Sequence, residues 1–357
     1  MINQIGIVIP AYEPDDRLLQ LLKDLRERQM GPVYLVDDGS GRAYQSIFNQ
    51  AKSMIEPLGG KILVHSHNQG KGRALKTAFE FVLQECGRLE GVVTADSDGQ
   101  HTPDCIQKVM DSLANHLDAL VLGVRRFDGD DIPWKSVWGN KLTEKVFQYT
   151  TGVHVLDTQT GLRGISKQHM QAYLELQGDR FEFEMKMLLY AAEHYPIVQV
   201  PIQTIYDSKE NHQTHFNPIK DSLRIYRIIG ERFFKYVLSS VSACALDLLL
   251  FALFCMLVKP LKPMFYIAIA TVIARICSAG YNYFINYKLV FQSSEGMAGS
   301  ALKYFGLVLV QMMCSAALVT VLAHLLPFVQ EVAIKAIVDT GLFFVSYLIQ
   351  RRFVFKS

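Results

Sequence analysis

Short apolar runs alternate with amphipathic stretches over the first 215 residues, and beyond residue 236 apolar positions become almost continuous. Ile5 to Ile9, Val33 to Val36, Lys61 to His65, Gly91 to Ala95 and Ala119 to Gly123 read as strands. Leu75, Ala78, Phe79, Val82 and Leu83 recur at the i, i+3, i+4, i+7 spacing of a helix face lying on a sheet. The alternation predicts a parallel α/β unit whose right-handed crossovers bring the strand C-termini to one edge, where ligands collect. After Gly123 the pattern loosens into a loop, Arg125 to Ser136. Helical segments near Asn140 to Thr150 and Phe181 to His194, and a strand at Val198 to Ile205, follow it.

From Pro218 the pattern changes. Ile219, Leu223, Tyr226, Ile229 and Phe233 form an apolar stripe, with Lys220, Arg224, Arg227, Glu231 and Lys235 one or two positions behind. Such a basic amphipathic helix is expected to lie in the headgroup plane over residues 216–235. Tyr236 to Val258, Phe265 to Tyr287, Tyr304 to Leu326 and Val332 to Ile349 are long enough, at ~1.5 Å per residue, to cross a hydrocarbon core of ~30 Å. They predict four transmembrane helices. A shift of 64 lays Tyr283, Ile285, Lys288, Val290 and Phe291 on Tyr347, Ile349, Arg352, Val354 and Phe355, which points to two duplicated hairpins in the same orientation. Arg275 and Asp339 are related by the same shift, so they are expected either to pair at matched depth or to leave Arg275 for a lipid phosphate with Asp339 as counter-ion.

The net charge of +2 hides an asymmetry, because nearly all acidic groups precede residue 236. No secretory signal is expected from Ile5 to Ile9, which places the first domain in the cytosol. An even number of spans then returns the C-terminus to the cytosol, with Lys288, Lys303, Arg351, Arg352 and Lys356 inside and Lys259 and Lys262 as the exceptions. The six cysteines form neither a disulfide framework nor a zinc spacing. A bundle with short loops suits a homo-oligomer; membrane lipids are expected partners, and nucleic acid is not.

The chemistry gathers at the predicted strand edge. Asp96-Ser97-Asp98-Gly99-Gln100-His101 ends the fourth strand, and Asp96, Asp98 and Gln100 can reach one hard cation. Held there, a divalent metal would neutralise a diphosphate leaving group. Asp37-Asp38-Gly39-Ser40 ends the second strand, where a carboxylate can accept from a nucleobase or ribose. Pro10, Tyr12 and Glu13 end the first, and Asn68 to Ala74, with Lys71, open a helix whose free N–H groups favour an anion.

These motifs together resemble family 2 glycosyltransferases of the polyprenyl- and dolichyl-phosphate sugar synthase type over residues 1–215, and residues 236–357 resemble the four-span GtrA-like family. The resemblance implies a GT-A (Rossmann-like) α/β domain followed by an all-α transmembrane domain. By it, Asp96, Asp98 and Gln100 bind Mg²⁺ or Mn²⁺, and Pro10, Tyr12, Glu13 and Asp37 hold the nucleoside, with Asp38 and Lys71 beside the donor. Arg125 contacts donor diphosphate or acceptor phosphate, and Lys135 stands where these synthases commonly carry Arg. Asp157-Thr158-Gln159-Thr160-Gly161-Leu162-Arg163 resembles the segment lining the sugar and acceptor pocket. Asp98, Arg125, Lys135 and Asp157 are therefore the expected catalytic residues, and Arg163 is expected at the donor.

The expected reaction is inverting transfer of a hexose or N-acetylhexosamine from a nucleotide-sugar, by analogy UDP-linked, to polyprenyl (undecaprenyl) phosphate. A phosphate monoester with a second pKa of ~6 is already a nucleophile at neutral pH and needs no general base. A glycerolipid or sphingolipid hydroxyl would need one, with Asp157 or Glu182 as candidates. A third reading makes the chain a translocator or scaffold for lipid-linked sugars. The Gln-x-x-Arg-Trp signature of processive synthases is absent, since both tryptophans, Trp134 and Trp138, flank Lys135.

Overall fold

The computed structural model describes residues 4–125, 134–203, 218–260 and 266–355, with side chains described over all of these but 134–140, 218–226, 268, 331 and 332. Contacts divide the chain into two units, Met1–Ile229 and Gly230–Ser357.

In the first unit the strands are β1 (Ile5–Ala11), β2 (Val33–Asp37), β3 (Lys61–Val64), β4 (Gly91–Thr94), β5 (Leu120–Arg125), β6 (Arg163–Ser166) and β7 (Ile197–Ile202). They form one sheet in the order β3-β2-β1-β4-β6-β5-β7. The all-parallel expectation needs correction: β6 pairs antiparallel with both β4 and β5, while the other pairings are parallel. β6 escapes the periodicity because Arg-Gly-Ile-Ser is too short to show alternation.

Alternate residues of the buried strands feed two cores. Val8, Val36, Val92 and Leu122 join Leu75, Phe79 and Val82 of α3 (Lys71–Glu85). Ile7, Ile9, Leu35 and Val93 join Leu18 and Leu22 of α1 (Asp16–Glu27), and Ile106 and Val109 of α4 (Pro103–Asn115). The period of two along a strand is what covers the sheet on both faces. Also on the first face are α5 (Trp134–Thr151), α6 (Lys167–Leu174) and α7 (Glu182–His194), represented by Phe147, Tyr173 and Leu188; α2 (Gln45–Ile55) packs on the second through Phe48 and Ile55.

Helix α8 (Pro218–Val258) runs 41 residues without interruption. The basic stretch expected as a separate in-plane helix is therefore its first part, continuous with the apolar part. Gly230 lies inside the helix, where one glycine costs about 1 kcal/mol without breaking it. The remaining helices are α9 (Tyr266–Ile285), α10 (Met297–Leu325) and α11 (Glu331–Ile349). Among the described residues, three segments are long and apolar enough to cross a membrane: Arg227–Val258, Met297–Leu325 and Ala333–Val354. The chain is a membrane protein.

The duplication is visible in three dimensions. Each hairpin ends in a five-residue π-turn, Asn286–Val290 and Gln350–Val354, at positions 64 apart. Asn286 Nδ2 donates to its counterpart Gln350 Oε1 at 3.1 Å, and Phe291 stacks on its counterpart Phe355 at 5.2 Å. The repeats thus meet through equivalent residues. Arg275 and Asp339 do not pair within the chain. Arg275 lies 3.4 Å from Asp247, and Asp339 pairs with Lys335 at 2.8 Å, one helical turn away, and accepts from Ser315. Each charge is satisfied within its own hairpin.

Candidate active site

The ends of β1 and β2 are tied together. Asp38 N–H donates to the Ala11 carbonyl at 2.9 Å, and Glu13 N–H donates to Ser40 Oγ at 2.9 Å. Glu13 holds a left-handed φ of 49°, a conformation that costs a non-glycine residue about 1–3 kcal/mol and tends to mark functional loops. Tyr12 hydrogen-bonds the Glu13 side chain, and that bond with partial burial raises its phenol above the ordinary value. Pro10 is buried within β1, opposite Val36, and supports this corner rather than presenting a surface. Asp37 accepts from Ser40 N–H at 2.9 Å and lines a cavity of about 600 Å³ with Gly39, Arg42, Gln45, His65 and Ser66.

Asp38 is held by partners within the chain. Its carboxylate accepts from the N–H groups of Gln69 and Gly70, at 2.9 and 2.8 Å, and meets His65 Nδ1 at 2.7 Å. His65 Nε2 continues to Thr77 Oγ1 at 2.9 Å. Asp38 is thus a buried staple for the loop before α3, with its oxygens already engaged.

The glycines of that loop also need a new explanation. Gly70 has φ 104°, and a Cβ there would overlap the Asp179 carbonyl. A Cβ on Gly72 would stand 2.5 Å from Phe183 Cβ and 2.8 Å from the Arg180 carbonyl. Arg73 N–H donates to the Asp179 carbonyl at 2.9 Å. The N-terminus of α3 is covered by residues 179–183 rather than open to an anion, and the missing Cβ atoms permit that approach. What reaches the catalytic edge is the Lys71 side chain. Its ammonium bonds Asp96 Oδ1 at 2.7 Å and Glu184 Oε2 at 2.9 Å. Burial opposes the charge on Lys71, but the two carboxylates outweigh it and raise the pKa well above the ordinary value.

Asp96 and Asp98 follow β4 at the strand edge. Burial favours the neutral form of Asp96, yet Lys71, His101 and Arg125 overcome it and hold the pKa at about 2. Burial, and then the neighbouring Asp96, raise that of Asp98. Asp98 accepts from Gln100 N–H at 3.0 Å, and Asp98, Gln100 and His101 line a cavity of about 220 Å³ with Arg17 and Asp24. His101 is buried, which lowers its pKa, and its Nδ1 accepts from Asp96 N–H at 3.2 Å. Nδ1 as acceptor leaves the proton of the neutral ring on Nε2.

Among the described residues no three His, Cys, Asp or Glu side chains come together as a closed metal cage. Two partly buried carboxylates, with Asp96 held anionic by its neighbouring cations, nevertheless fit a hard divalent ion. Mg²⁺ in particular is held by one or two carboxylates, with phosphate oxygens and water supplying the rest. The Lys71 ammonium marks the position at Asp96 where positive charge is required.

The opposite wall comes from the segment before β6. Arg125, ending β5, forks onto Asp157, Nε to Oδ2 at 2.6 Å and Nη2 to Oδ1 at 3.1 Å. Asp157 is 0% exposed. Thr160 Oγ1 donates to the Gly123 carbonyl at 2.6 Å, and Thr94 Oγ1 to the Gly161 carbonyl at 2.7 Å, which pins this turn between β4 and β5. Arg163 is 1% exposed, and donates to the carbonyls of Thr160 and Glu184 at 2.8 and 2.5 Å. It braces the turn against α7. The Lys135 side chain lies outside the described residues, as do those of Trp134 and Trp138.

Glu184 was not foreseen. It sits in the first turn of α7, is buried, and leaves Oε1 without a hydrogen bond among the described residues. In the sequence it is one of two acids, Glu182 and Glu184, that alternate with apolar residues at the start of a helix, and it resembles any helix N-terminal carboxylate.

Residues 6–174 match the family model described as glycosyl transferase family 2, and residues 231–355 match that of the GtrA/DPMS transmembrane domain. The UDP-N-acetylglucosamine–dolichyl-phosphate N-acetylglucosaminyltransferase of Methanococcus voltae is 28% identical over 221 residues, covering 57% of this chain and 86% of that one. The undecaprenyl-phosphate 4-deoxy-4-formamido-L-arabinose transferase of Pseudomonas fluorescens is 29% identical over 179 residues, 48% of this chain and 50% of that one. Among solved structures, the mannosyltransferase PcManGT of Pyrobaculum calidifontis, in complex with GDP-Man and Mn²⁺, aligns over 97% of this chain and 86% of its own at 14% identity and a TM-score of 0.41.

Proposed function

We propose that this chain, in which residues 6–174 match glycosyl transferase family 2 and residues 231–355 the GtrA/DPMS transmembrane domain, transfers a hexose or N-acetylhexosamine from a nucleotide-sugar to polyprenyl phosphate. One observation carries this reading: after β4, carboxylates able to hold a divalent cation, Asp96 and Asp98, stand beside two cations able to meet phosphate, Lys71 and Arg125. The names of the Methanococcus and Pseudomonas relatives support a polyprenyl-type phosphate acceptor, and the first supports UDP as the carrier.

In the reaction, an acceptor phosphate oxygen attacks the anomeric carbon while the bond from that carbon to the nucleoside diphosphate breaks, inverting the centre. Mg²⁺ or Mn²⁺ at Asp96, Asp98 and Gln100 would neutralise charge on the departing diphosphate. Asp37, with Tyr12 and Glu13, orients the nucleoside. Arg125, fixed by its fork with Asp157, presents a pre-aimed cation to phosphate without paying for side-chain ordering at each turnover. Asp157 is unsuited to act as a base, because both its oxygens are engaged by Arg125 in a fully buried site. That disfavours a hydroxyl acceptor at this carboxylate. By this reading the catalytic domain and the C-terminus face the cytosol, with α9 joining the three long apolar segments as a fourth span.

Purified protein in detergent, offered a panel of UDP- and GDP-sugars with farnesyl phosphate, tests the reading by mass spectrometry of the lipid product. A farnesyl-phosphate sugar, formed with divalent metal and lost in excess EDTA, is expected. Glycosylation of farnesol or diacylglycerol with farnesyl phosphate untouched would overturn it, and no turnover with any donor would favour the scaffold reading.

A further inference from the structure

Three carboxylates meet one ammonium at the reactive edge. Lys71 Nζ lies 2.7 Å from Asp96 Oδ1 and 2.9 Å from Glu184 Oε2, and Asp98 follows Asp96 at the end of β4. Arg125 adds no net charge, because the buried Asp157 carboxylate already balances it. When ionised, Asp96, Asp98 and Glu184 set against Lys71 leave two negative charges, which is the charge of one divalent cation. Without Glu184 the same cation would leave the site one charge positive, with an unbalanced ammonium beside a metal.

The two carboxylates on Lys71 are not equivalent. The side chain of Asp96 is 29% exposed and that of Glu184 9%, so an ion arriving from water reaches Asp96 first. Lys71 and Glu184, by contrast, belong to one packed unit. The missing Cβ atoms of Gly70 and Gly72 bring α3 against Asp179, Arg180 and Phe183, and Arg73 N–H donates to the Asp179 carbonyl at 2.9 Å. Arg163 donates to the Glu184 carbonyl and fixes its main chain. The first turns of α3 and α7 therefore keep their spacing whatever occupies the end of β4. Glu184 also has an acceptor to spare: its Oε1 is buried without a hydrogen bond among the described residues, an arrangement uncommon enough in folded proteins to call for a reason. An ammonium carries three N–H donors, and one released from Asp96 has this second oxygen available on the carboxylate that already holds Lys71.

We infer that Glu184 is a positioning residue that acts through Lys71. It keeps the ammonium seated when Asp96 is given over to a divalent cation, so that Lys71 neutralises Asp96 before the metal arrives and does not oppose it afterwards. The inference rests on the metal reading of Asp96 and Asp98, and on nothing about the sugar, its carrier or the acceptor.

Mn²⁺ titrations of the full-length protein in detergent, followed by electron paramagnetic resonance below the unfolding transition of every variant, test it. Glu184→Gln should weaken Mn²⁺ affinity at least ~10-fold, the loss typical of a residue that orients a metal site without ligating it. In a Lys71→Met background the same substitution should change the affinity by less than about twofold, because no ammonium is left to seat. Should Lys71→Met not fold, Lys71→Gln, whose amide is a neutral donor, supplies the background. A purely structural Glu184 would lower the unfolding temperature but leave the Mn²⁺ affinity of the folded protein at the wild-type value. A Glu184 that ligates the metal itself would cost about the same ~10-fold in both backgrounds. Either result overturns the inference. Asp98→Asn separates it from the metal reading: wild-type Mn²⁺ affinity in that variant removes the metal assignment and this inference together, whereas weakened binding in Asp98→Asn beside full affinity in Glu184→Gln removes the inference alone.

Discussion

Gly161 lies directly on the Asp96 carboxylate: a Cβ at that position would stand 2.7 Å from Oδ1 and closer still to Oδ2. The turn before β6 and the carboxylate after β4 therefore form one closely fitted surface. Gly161→Ala should displace Asp96 and lower kcat at least ~100-fold, a loss of about 2.7 kcal/mol in the transition state. Steady-state kinetics beside circular dichroism would check it; an unaltered spectrum with wild-type turnover would show that Asp96 tolerates the push.

Asp98→Asn should remove most turnover while leaving the fold intact, because it takes away one anionic ligand without disturbing Lys71 and Asp96. Mn²⁺ binding, followed by electron paramagnetic resonance, should weaken at the same time. Unchanged Mn²⁺ affinity together with unchanged kcat would sink the metal assignment.

Lys71 and Glu184 give a prediction about stability. Lys71→Met leaves the buried Glu184 and Asp96 without their shared cation, and uncompensated buried charge costs about 3 kcal/mol. Thermal unfolding should show the single variant well below wild type. The double variant Lys71→Met with Glu184→Gln should recover much of the loss but none of the activity. No recovery would mean that Glu184 does not sense the ammonium.

Asp37 and Asp38 are adjacent in sequence but predicted to fail differently. Asp38→Ala strips acceptors from two backbone N–H groups and His65 and should cost about 2–3 kcal/mol, read as a lower Tm. Asp37→Ala should chiefly raise the KM for the nucleotide-sugar. Equal Tm losses with equal KM values would collapse the distinction.

His169 supplies a pH test away from the site. It is buried, stacks on Tyr195 at 3.8 Å, and burial lowers its pKa below the ordinary ~6.5. The unfolded chain therefore binds a proton that the native protein resists. The stability this neutral ring contributes is fully present above pH ~6.5 and is lost as the pH falls through the lowered native value. Subtracting the Tm–pH profile of His169→Phe from that of wild type should isolate a decline on the acid side of 6.5. A flat difference would count against it.

The legible part of the molecule was that in which one periodicity ran long enough to be counted. Strands β1 to β5 stand within two residues of their expected ends, and the edge carrying Asp37, Asp96 and Asp98 follows from them. β6 stayed hidden because four residues carry no pattern, and with it the turn that sets Gly161 on Asp96. The Asn68 to Ala74 loop misled because glycines permit either an anion or a neighbouring backbone to come close, and only three dimensions show residues 179–183 filling the space. Asp38 and Glu184 were opaque for a related reason: a carboxylate that ties a loop down and one that binds a ligand look the same in a chain. In the apolar unit the shift of 64 revealed the duplication, but it could not reveal that Arg275 turns to Asp247 within its own hairpin.

The reversed direction of β6 has an evolutionary reading. In a strictly parallel sheet, every loop at the reactive edge leaves the end of a strand and starts the next crossover, so changing it disturbs the path of the chain. β6 reaches that edge with its beginning, so the segment that enters it, 152–162, is bounded by α5 on one side and a four-residue strand on the other. It is tied at Asp157 to Arg125, at Thr160 to Gly123 and at Gly161 to Asp96, so a change in this one stretch reaches the carboxylate after β4 as well.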